Sequence, residues 1–362
     1  MALKEKKKKI LVFVPSLAGG GSERFIVYFV NNLDREKFDI KLALIKKEGP
    51  YLDELKKDIP VIDLNSKRAR YALFKIIKLI KDEKPDLVFS TLGYLNILLA
   101  MVKKLFPNIK FVARESNIQS KRFSTFFKYL AKLFYKYFDL IIAQAKCMKK
   151  DLVENFNVPE DKVKVIYNPV DIENIYKKSL TNEKLFSDKY KNLIAIGRLT
   201  KQKGFDLLLK AFSKLDNNYR LYILGEGEEK DNLIKLADKL NIKDRVYFLG
   251  FQKNPYKYLA QADLMVLSSK VEGLPNVVLE ANALGIPVVA FDCPGGTREI
   301  IKNGLNGFLV KCEDVDKLAF YIEKAVNYNW DKSKIIKYIK ENFSVEKIIK
   351  KYEDALLSLL KT

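Results

Sequence analysis

Short apolar runs recur along the whole chain, each separated from the next by a stretch that reads as a helix, and this alternation limits the fold more than any other feature. In the first half the strand-like runs fall at 10–14, 40–44, 61–64, 87–90, 110–113, 140–143 and 163–167. In the second half they fall at 193–196, 220–224, 246–249, 264–268, 287–291 and 307–310. Strands alternating with helical segments predict parallel sheets covered by helices. The chain has 362 residues, 48% of them hydrophobic, which is enough for two such sheets. The expected class is α/β with two doubly wound domains. Asn168-Pro169 breaks the pattern and a polar stretch runs on to Tyr190, which places the seam there. The expected division is 1–172, 173–344 and a last helix, 345–362, returning to the first domain.

Composition removes several kinds of chemistry. The chain has no histidine, and with it go the commonest general base, the commonest metal ligand and every Ser-His or Cys-His nucleophile. Three cysteines, Cys147, Cys293 and Cys312, form no CxxC pair and read as small buried hydrophobes. No apolar run approaches the roughly 20 residues needed to cross a bilayer, and the lysine-rich opening leads into a strand-like run without a cleavage site. A cytoplasmic protein is expected.

The formal net charge of +21 is uneven: residues 1–170 carry 34 Lys and Arg against 19 Asp and Glu, and residues 171–362 carry 32 against 26. The surplus concentrates at 101–150, around the aromatic, lysine-rich stretch 121–138. Read as one helix, that stretch sets Lys128, Lys132 and Lys136 on one stripe and Phe123, Phe126, Phe127, Leu130, Phe134 and Tyr137 on another. Two readings stay open: a helix lying on an anionic membrane surface, or a core helix with a solvated lysine face. A basic nucleic-acid-binding protein is the reading from another class, but the charge sits on no recognised DNA- or RNA-reading module.

Two glutamates eight positions apart, Glu272 and Glu280, frame Gly273-Leu274-Pro275-Asn276-Val277 between a strand-like run and a helical one. Such strand-loop-helix corners are where open α/β sheets hold ligands. Pro275 suits the first turn of the helix, and the free N–H groups near Asn276 and Val277 favour a diphosphate while the carboxylates accept hydrogen bonds from hydroxyls. A nucleotide sugar offers both. Arg198 and Lys203, in the loop Gly197-Arg-Leu-Thr-Lys-Gln-Lys-Gly204, are expected on the same sheet edge, where a planar fork and a point charge suit a leaving diphosphate. Two Gly-rich turns, Gly19-Gly20-Gly21-Ser-Glu-Arg24 and Gly225-Glu-Gly227, follow strands but match neither the Walker nor the dinucleotide pattern. Asp314-Val-Asp316 directly precedes a helical run and reads as a helix cap rather than a metal-binding pair.

These pieces, with Tyr167-Asn-Pro-Val-Asp171, Phe248-Leu-Gly-Phe251 and Gly304-Leu-Asn-Gly-Phe308, resemble glycosyltransferase family 4 over almost the whole chain. The resemblance implies the GT-B fold, two Rossmann-like domains facing across a cleft, and a retaining transfer that needs no metal and no cofactor. It implies that Arg198 and Lys203 bind the donor diphosphate and Glu280 the ribose. Glu272 with the backbone of Gly273, Leu274, Pro275 and Asn276 would meet the donor sugar, and Phe251 would border the base. Gly197 and Gly225 would stand beside the donor, with Gly20 and Gly21 approaching it from the other domain. Family members often carry a histidine where this chain reads Ala113-Arg114-Glu115-Ser116-Asn117, so Arg114, Glu115 and Asn117 are expected on the acceptor side. The chain is similar to bacterial enzymes extending polyprenyl-diphosphate-linked glycans, which implies a UDP-linked hexose or N-acetylhexosamine donor, a lipid-linked acceptor and a peripheral site on the inner face of the plasma membrane. A sugar-nucleotide epimerase on the same fold, and a non-catalytic scaffold, are the remaining alternatives.

Overall fold

The computed structural model describes residues 6–361; the first five residues of the lysine-rich opening, and Thr362, lie outside the described residues. Two compact units emerge: Val170–Ser344 form one, and the residues before Val170 together with those from Val345 onward form the other.

The first unit holds a seven-stranded sheet of β1 (Lys8–Val14), β2 (Phe38–Leu44), β3 (Val61–Asp63), β4 (Leu87–Thr91), β5 (Lys110–Glu115), β6 (Leu140–Ala143) and β7 (Val163–Val165), in the order β3-β2-β1-β4-β5-β6-β7. Every pairing is parallel. The apolar runs are continuous because both faces are covered. The alternation of side chains divides each strand between two cores: Leu11 and Phe13 join Ile76, Leu99 and Ala131 on one face, and Ile10, Val12 and Val14 join Phe25, Phe29 and Tyr352 on the other. Tyr352 belongs to the last helix, Val345–Lys361, and its ring lies 5.1 Å from that of Phe25 and 5.4 Å from that of Phe29. Glu353 on the same helix accepts a hydrogen bond from the Asp34 amide at 2.8 Å.

The second unit holds a six-stranded parallel sheet of β8 (Lys191–Ile196), β9 (Tyr219–Leu224), β10 (Val246–Gly250), β11 (Leu264–Leu267), β12 (Val288–Asp292) and β13 (Gly307–Lys311), in the order β10-β9-β8-β11-β12-β13. The chain winds outward from β8 through β9 to β10, then crosses to β11 and continues the other way. The loops after β8 and β11 therefore part company at a topological switch point, where the ends of a doubly wound sheet leave a crevice. In the first unit the corresponding point lies between β1 and β4.

The long stretch 121–138 is not one helix. It breaks into Gln119–Arg122, Thr125–Phe134 and a 3-10 turn at Tyr135–Tyr137, because Phe123 takes an extended conformation (φ −73°, ψ 141°) and is buried. Within Thr125–Phe134, Phe127, Leu130 and Phe134 turn inward while Phe126 turns out beside Tyr129 and Leu133. Of the three cysteines only Cys293 is buried; Cys147 and Cys312 are partly exposed. Asp314 accepts from the Lys317 amide at 3.0 Å and caps the helix Val315–Val326.

Candidate functional site

At the switch point of the second unit, the loop after β8 brings Lys203 to Glu272 on the loop after β11. Lys203 Nζ and Glu272 Oε1 are 2.6 Å apart, and the Ser269 hydroxyl donates to the same oxygen at 2.6 Å. The Glu272 side chain is 8% exposed and that of Lys203 21%. A carboxylate this far from water is sustained by a cation and a hydroxyl held on it. Both donors engage Oε1.

The backbone around this pair is fixed by tight crossings. The Ser268 hydroxyl donates to the Lys203 carbonyl at 3.1 Å, and the Lys270 amide donates to the Gln202 carbonyl at 2.8 Å, tying the two loops together. The loop after β12 closes the other flank: the Glu272 amide donates to Pro294 O at 3.1 Å and the Gly296 amide to Gly273 O at 2.7 Å. Gly225, at the end of β9, has φ +139°, and a Cβ there would fall on the Gly197 carbonyl. Its role is thus to let the β9 loop press against the β8 loop. Gly197 stands beside the Lys203 stem, with a Cβ position 3.6 Å from Lys203 Cδ.

The helix after β11 is Asn276–Ala283, with Pro275 at the N-cap rather than inside the first turn, one position before where the sequence sets it. Asn276 and Val277 are its first two residues, and their amides lie in the first turn where no intrahelical acceptor exists. Leu274, just before the cap, is buried. Glu280 is buried one turn further in, with the Tyr256 hydroxyl 3.5 Å from its Oε1. The far end of this short helix is anchored by an amide pair. Asn282 Nδ2 donates to Ile286 O and Asn306 O, both at 3.0 Å, and Asn306 Nδ2 donates to Asn282 Oδ1 at 2.9 Å. Arg198 is exposed, and its guanidinium forms no ion pair among the described residues. Phe251 is an exposed ring just past β10, two strands from β8 on the same sheet edge.

The remaining residues belong to the first unit. Gly20 has φ +145° and caps the helix Gly21–Asn32, a conformation that favours glycine at the turn after β1. Arg114 and Glu115, the residues expected on the acceptor side, end β5 and are fully buried. The Arg114 guanidinium lies 3.7 Å from the centre of the Phe25 ring and donates to Asn168 Oδ1 at 2.7 Å and to Thr91 Oγ1 at 3.3 Å. Glu115 accepts from the Tyr135 hydroxyl at 2.6 Å, from Asn96 Nδ2 at 2.7 Å and from Gln119 Nε2. Burial pushes the Glu115 carboxyl above its ordinary value and the Tyr135 phenol well above its own. Asn117, two residues past Glu115, is partly exposed and bonds to Ser116 Oγ at 3.1 Å.

Sequence reasoning misses Ser269, the Gly295-Gly296 turn and the Asn282–Asn306 pair. Asn306 falls inside a quoted motif, but nothing in the sequence tells which amide it meets. No group of Cys, Asp and Glu side chains among the described residues is arranged to hold a metal ion.

Residues 19–174 match the family described as Glycosyltransferase Family 4, and residues 177–342 match Glycosyl transferases group 1. A relative from Campylobacter jejuni, N-acetylgalactosamine-N,N'-diacetylbacillosaminyl-diphospho-undecaprenol 4-alpha-N-acetylgalactosaminyltransferase, is 31% identical over 86% of this chain and 88% of its own length. An uncharacterized glycosyltransferase of Methanocaldococcus jannaschii is 39% identical, over 64% of this chain and 62% of that protein. Among solved structures, the Anabaena HepE protein in complex with UDP superposes with a TM-score of 0.83 at 22% identity, covering 98% of this chain and 100% of the other. The fold is the GT-B fold of such glycosyltransferases.

Proposed function

We propose a specific reaction for this chain, which belongs to glycosyltransferase family 4 and is a glycosyltransferase. It moves a hexose or N-acetylhexosamine from a UDP-linked donor to a glycan carried on a polyprenyl diphosphate, with retention at the anomeric carbon and without a metal. The observation that carries the reading is the Lys203–Glu272 pair at the switch point, 2.6 Å apart beside the first turn of the helix Asn276–Ala283. It sets a cation and a carboxylate beside a helix N-terminus in one crevice.

In this reaction Arg198, Lys203 and the amides of Asn276 and Val277 take up the charge of the departing diphosphate, the job usually done by preorganised donors. Glu272 accepts from donor-sugar hydroxyls through Oε2, since Lys203 and Ser269 both engage Oε1. Glu280 accepts from the ribose, and Phe251 borders the base. The acceptor attacks from the face the diphosphate leaves, and a diphosphate oxygen takes its proton. No histidine is then required, and the chain has none. Positioning and charge stabilisation are what remain for the protein to supply.

The UDP reading draws on the UDP-bound relative of the same fold, and the lipid-linked acceptor on the Campylobacter relative. Such an acceptor would hold the enzyme at the inner face of the plasma membrane as a peripheral protein; no helix among the described residues is long and apolar enough to cross a membrane. The test is a screen of UDP- and GDP-sugars with a short-chain polyprenyl-diphosphate glycan, reading nucleotide release. Release that requires both a UDP-sugar and the acceptor supports the reading. Release of UDP with an altered sugar and no acceptor would make the protein an epimerase instead.

A further inference from the structure

Two helices of the first unit, Gly93–Lys103 and Thr125–Phe134, pack side by side, the first of them against β5, and leave an apolar strip uncovered. Phe126 is 64% exposed, Tyr129 62% and Tyr94 50%, and Leu133 and Met101 are exposed as well. The rings are continuous rather than scattered: Tyr94 lies 4.6 Å from Phe127, and Phe127 lies 5.5 Å from Phe126. On the helix Thr125–Phe134, Phe126, Tyr129 and Leu133 stand at i, i+3 and i+7, a stripe of its own beside the core-facing one. An uncovered apolar strip of this kind on a soluble unit calls for a partner.

The charge around the strip says which partner. From residue 87 to residue 138 the chain contains one carboxylate, Glu115, and it is fully buried. The same stretch exposes Lys104, Lys121, Arg122, Lys128, Lys132 and Lys136, and none of the six forms an ion pair among the described residues. Exposed helices elsewhere neutralise their lysines at i, i+4, as in Lys337–Glu341 and Lys350–Asp354. Lys104 Nζ instead sits 4.3 Å above the Tyr137 ring, keeping a cation at the border of the aromatic surface. Aromatic side chains flanked by uncompensated lysines match the interface of an anionic bilayer, where rings enter the headgroup boundary and each lysine gains from the surface potential.

We propose that this two-helix face, Tyr94, Met101, Phe126, Tyr129 and Leu133 with the lysines around them, docks the protein on an anionic lipid surface. The inference deepens the lipid-linked acceptor reading above and rests on it for its purpose, though not for its physics. Docking would bring the first unit to the plane where a polyprenyl-anchored glycan is presented, and would restrict acceptors to those on the membrane.

The full chain is sedimented with vesicles of phosphatidylcholine alone and with vesicles containing roughly one-third phosphatidylglycerol. The expected result is binding to the anionic vesicles that falls with salt, and little to the neutral ones. Lys128, Lys132 and Lys136 changed together to Ala should weaken partitioning roughly 100-fold, at about 1 kcal/mol per lysine. Phe126→Ser with Tyr129→Ser should weaken it by at least about tenfold at unchanged net charge. All five positions are exposed or border solvent, and an unaltered thermal transition confirms that the variants fold. Wild-type protein that ignores anionic vesicles, or variants that bind as tightly as wild type, would overturn the proposal. So would a concentration-dependent dimer abolished by the aromatic variant, since the strip would then belong to a second copy. Turnover on a water-soluble short-chain acceptor separates the two readings. If it persists while vesicle binding fails, docking falls and the transferase reading stands; vesicle binding without any sugar transfer has the opposite meaning.

Discussion

Replacing Lys203 by Met removes the one cation among the described residues that pairs with the buried Glu272 carboxylate, and the cost follows from what is left behind. The side chain of Glu272 is 8% exposed, and without Lys203 its charge keeps only the Ser269 hydroxyl. Breaking a fully buried pair costs about 3–5 kcal/mol. Lys203 is 21% exposed, so solvent reaches the gap and the figure drops to about 2–3 kcal/mol. The reverse change, Glu272→Gln, is milder: Gln keeps an acceptor for Ser269 and the freed ammonium can turn to water, for a loss of about 1 kcal/mol. The double variant contains no buried charge and should resemble Glu272→Gln, which gives a coupling of about 2–3 kcal/mol. The readout is built into the chain. Its single tryptophan, Trp330, lies in the second unit, donating from Nε1 to Ala325 O at 2.7 Å, so urea unfolding followed by tryptophan fluorescence reports the unit that holds the pair. Single-variant losses that add within about 0.5 kcal/mol would mean that the contact carries no energy, and the reasoning would fail.

Other expectations follow from groups around the site. Asn282→Leu removes two donors and strands the Ile286 and Asn306 carbonyls and an Asn306 donor, and should destabilise the second unit by about 2–4 kcal/mol; an effect below about 1 kcal/mol would show the pair is dispensable. Burial raises the Cys293 thiol to about 12, which leaves on the order of one thiolate in ten thousand at pH 8, so iodoacetamide should modify Cys147 and Cys312 before Cys293 in folded protein. Peptide mapping that finds Cys293 alkylated first would contradict this. Burial also raises the Glu115 carboxyl above its value in the unfolded chain, so its contribution is complete below about pH 4.5 and is lost as pH climbs through the raised value. The calorimetric melting temperature of wild type relative to Glu115→Gln should therefore decline as pH rises from acid to neutral; a difference that grows with pH would reverse the sign.

The strands were legible in the sequence because a parallel sheet covered on both faces demands apolar side chains at consecutive positions, as at Leu264–Leu267, where every residue is apolar and buried. Lys203 and Glu272 were legible as neighbours on a sheet edge, since both follow strands, but their direct contact spans 69 positions and needs the strand order that places β8 beside β11. The place of Glu115 at a strand end was readable, yet its burial depends on Asn96, Gln119 and Tyr135 arriving from three other elements. The stretch 121–138 differs for another reason: helical periodicity assumes an unbroken helix, and the extended residue Phe123 and the turn Tyr135–Tyr137 separate the residues on either side from the register of Thr125–Phe134.

The most direct test of the central claim is a crystal structure of the protein with UDP. The diphosphate should lie at the second unit's switch point, its terminal phosphate within hydrogen-bond reach of Lys203 Nζ, the Arg198 guanidinium and the amides of Asn276 and Val277. Nucleotide found on another edge of either sheet, or a switch point left empty at saturating UDP, would contradict it.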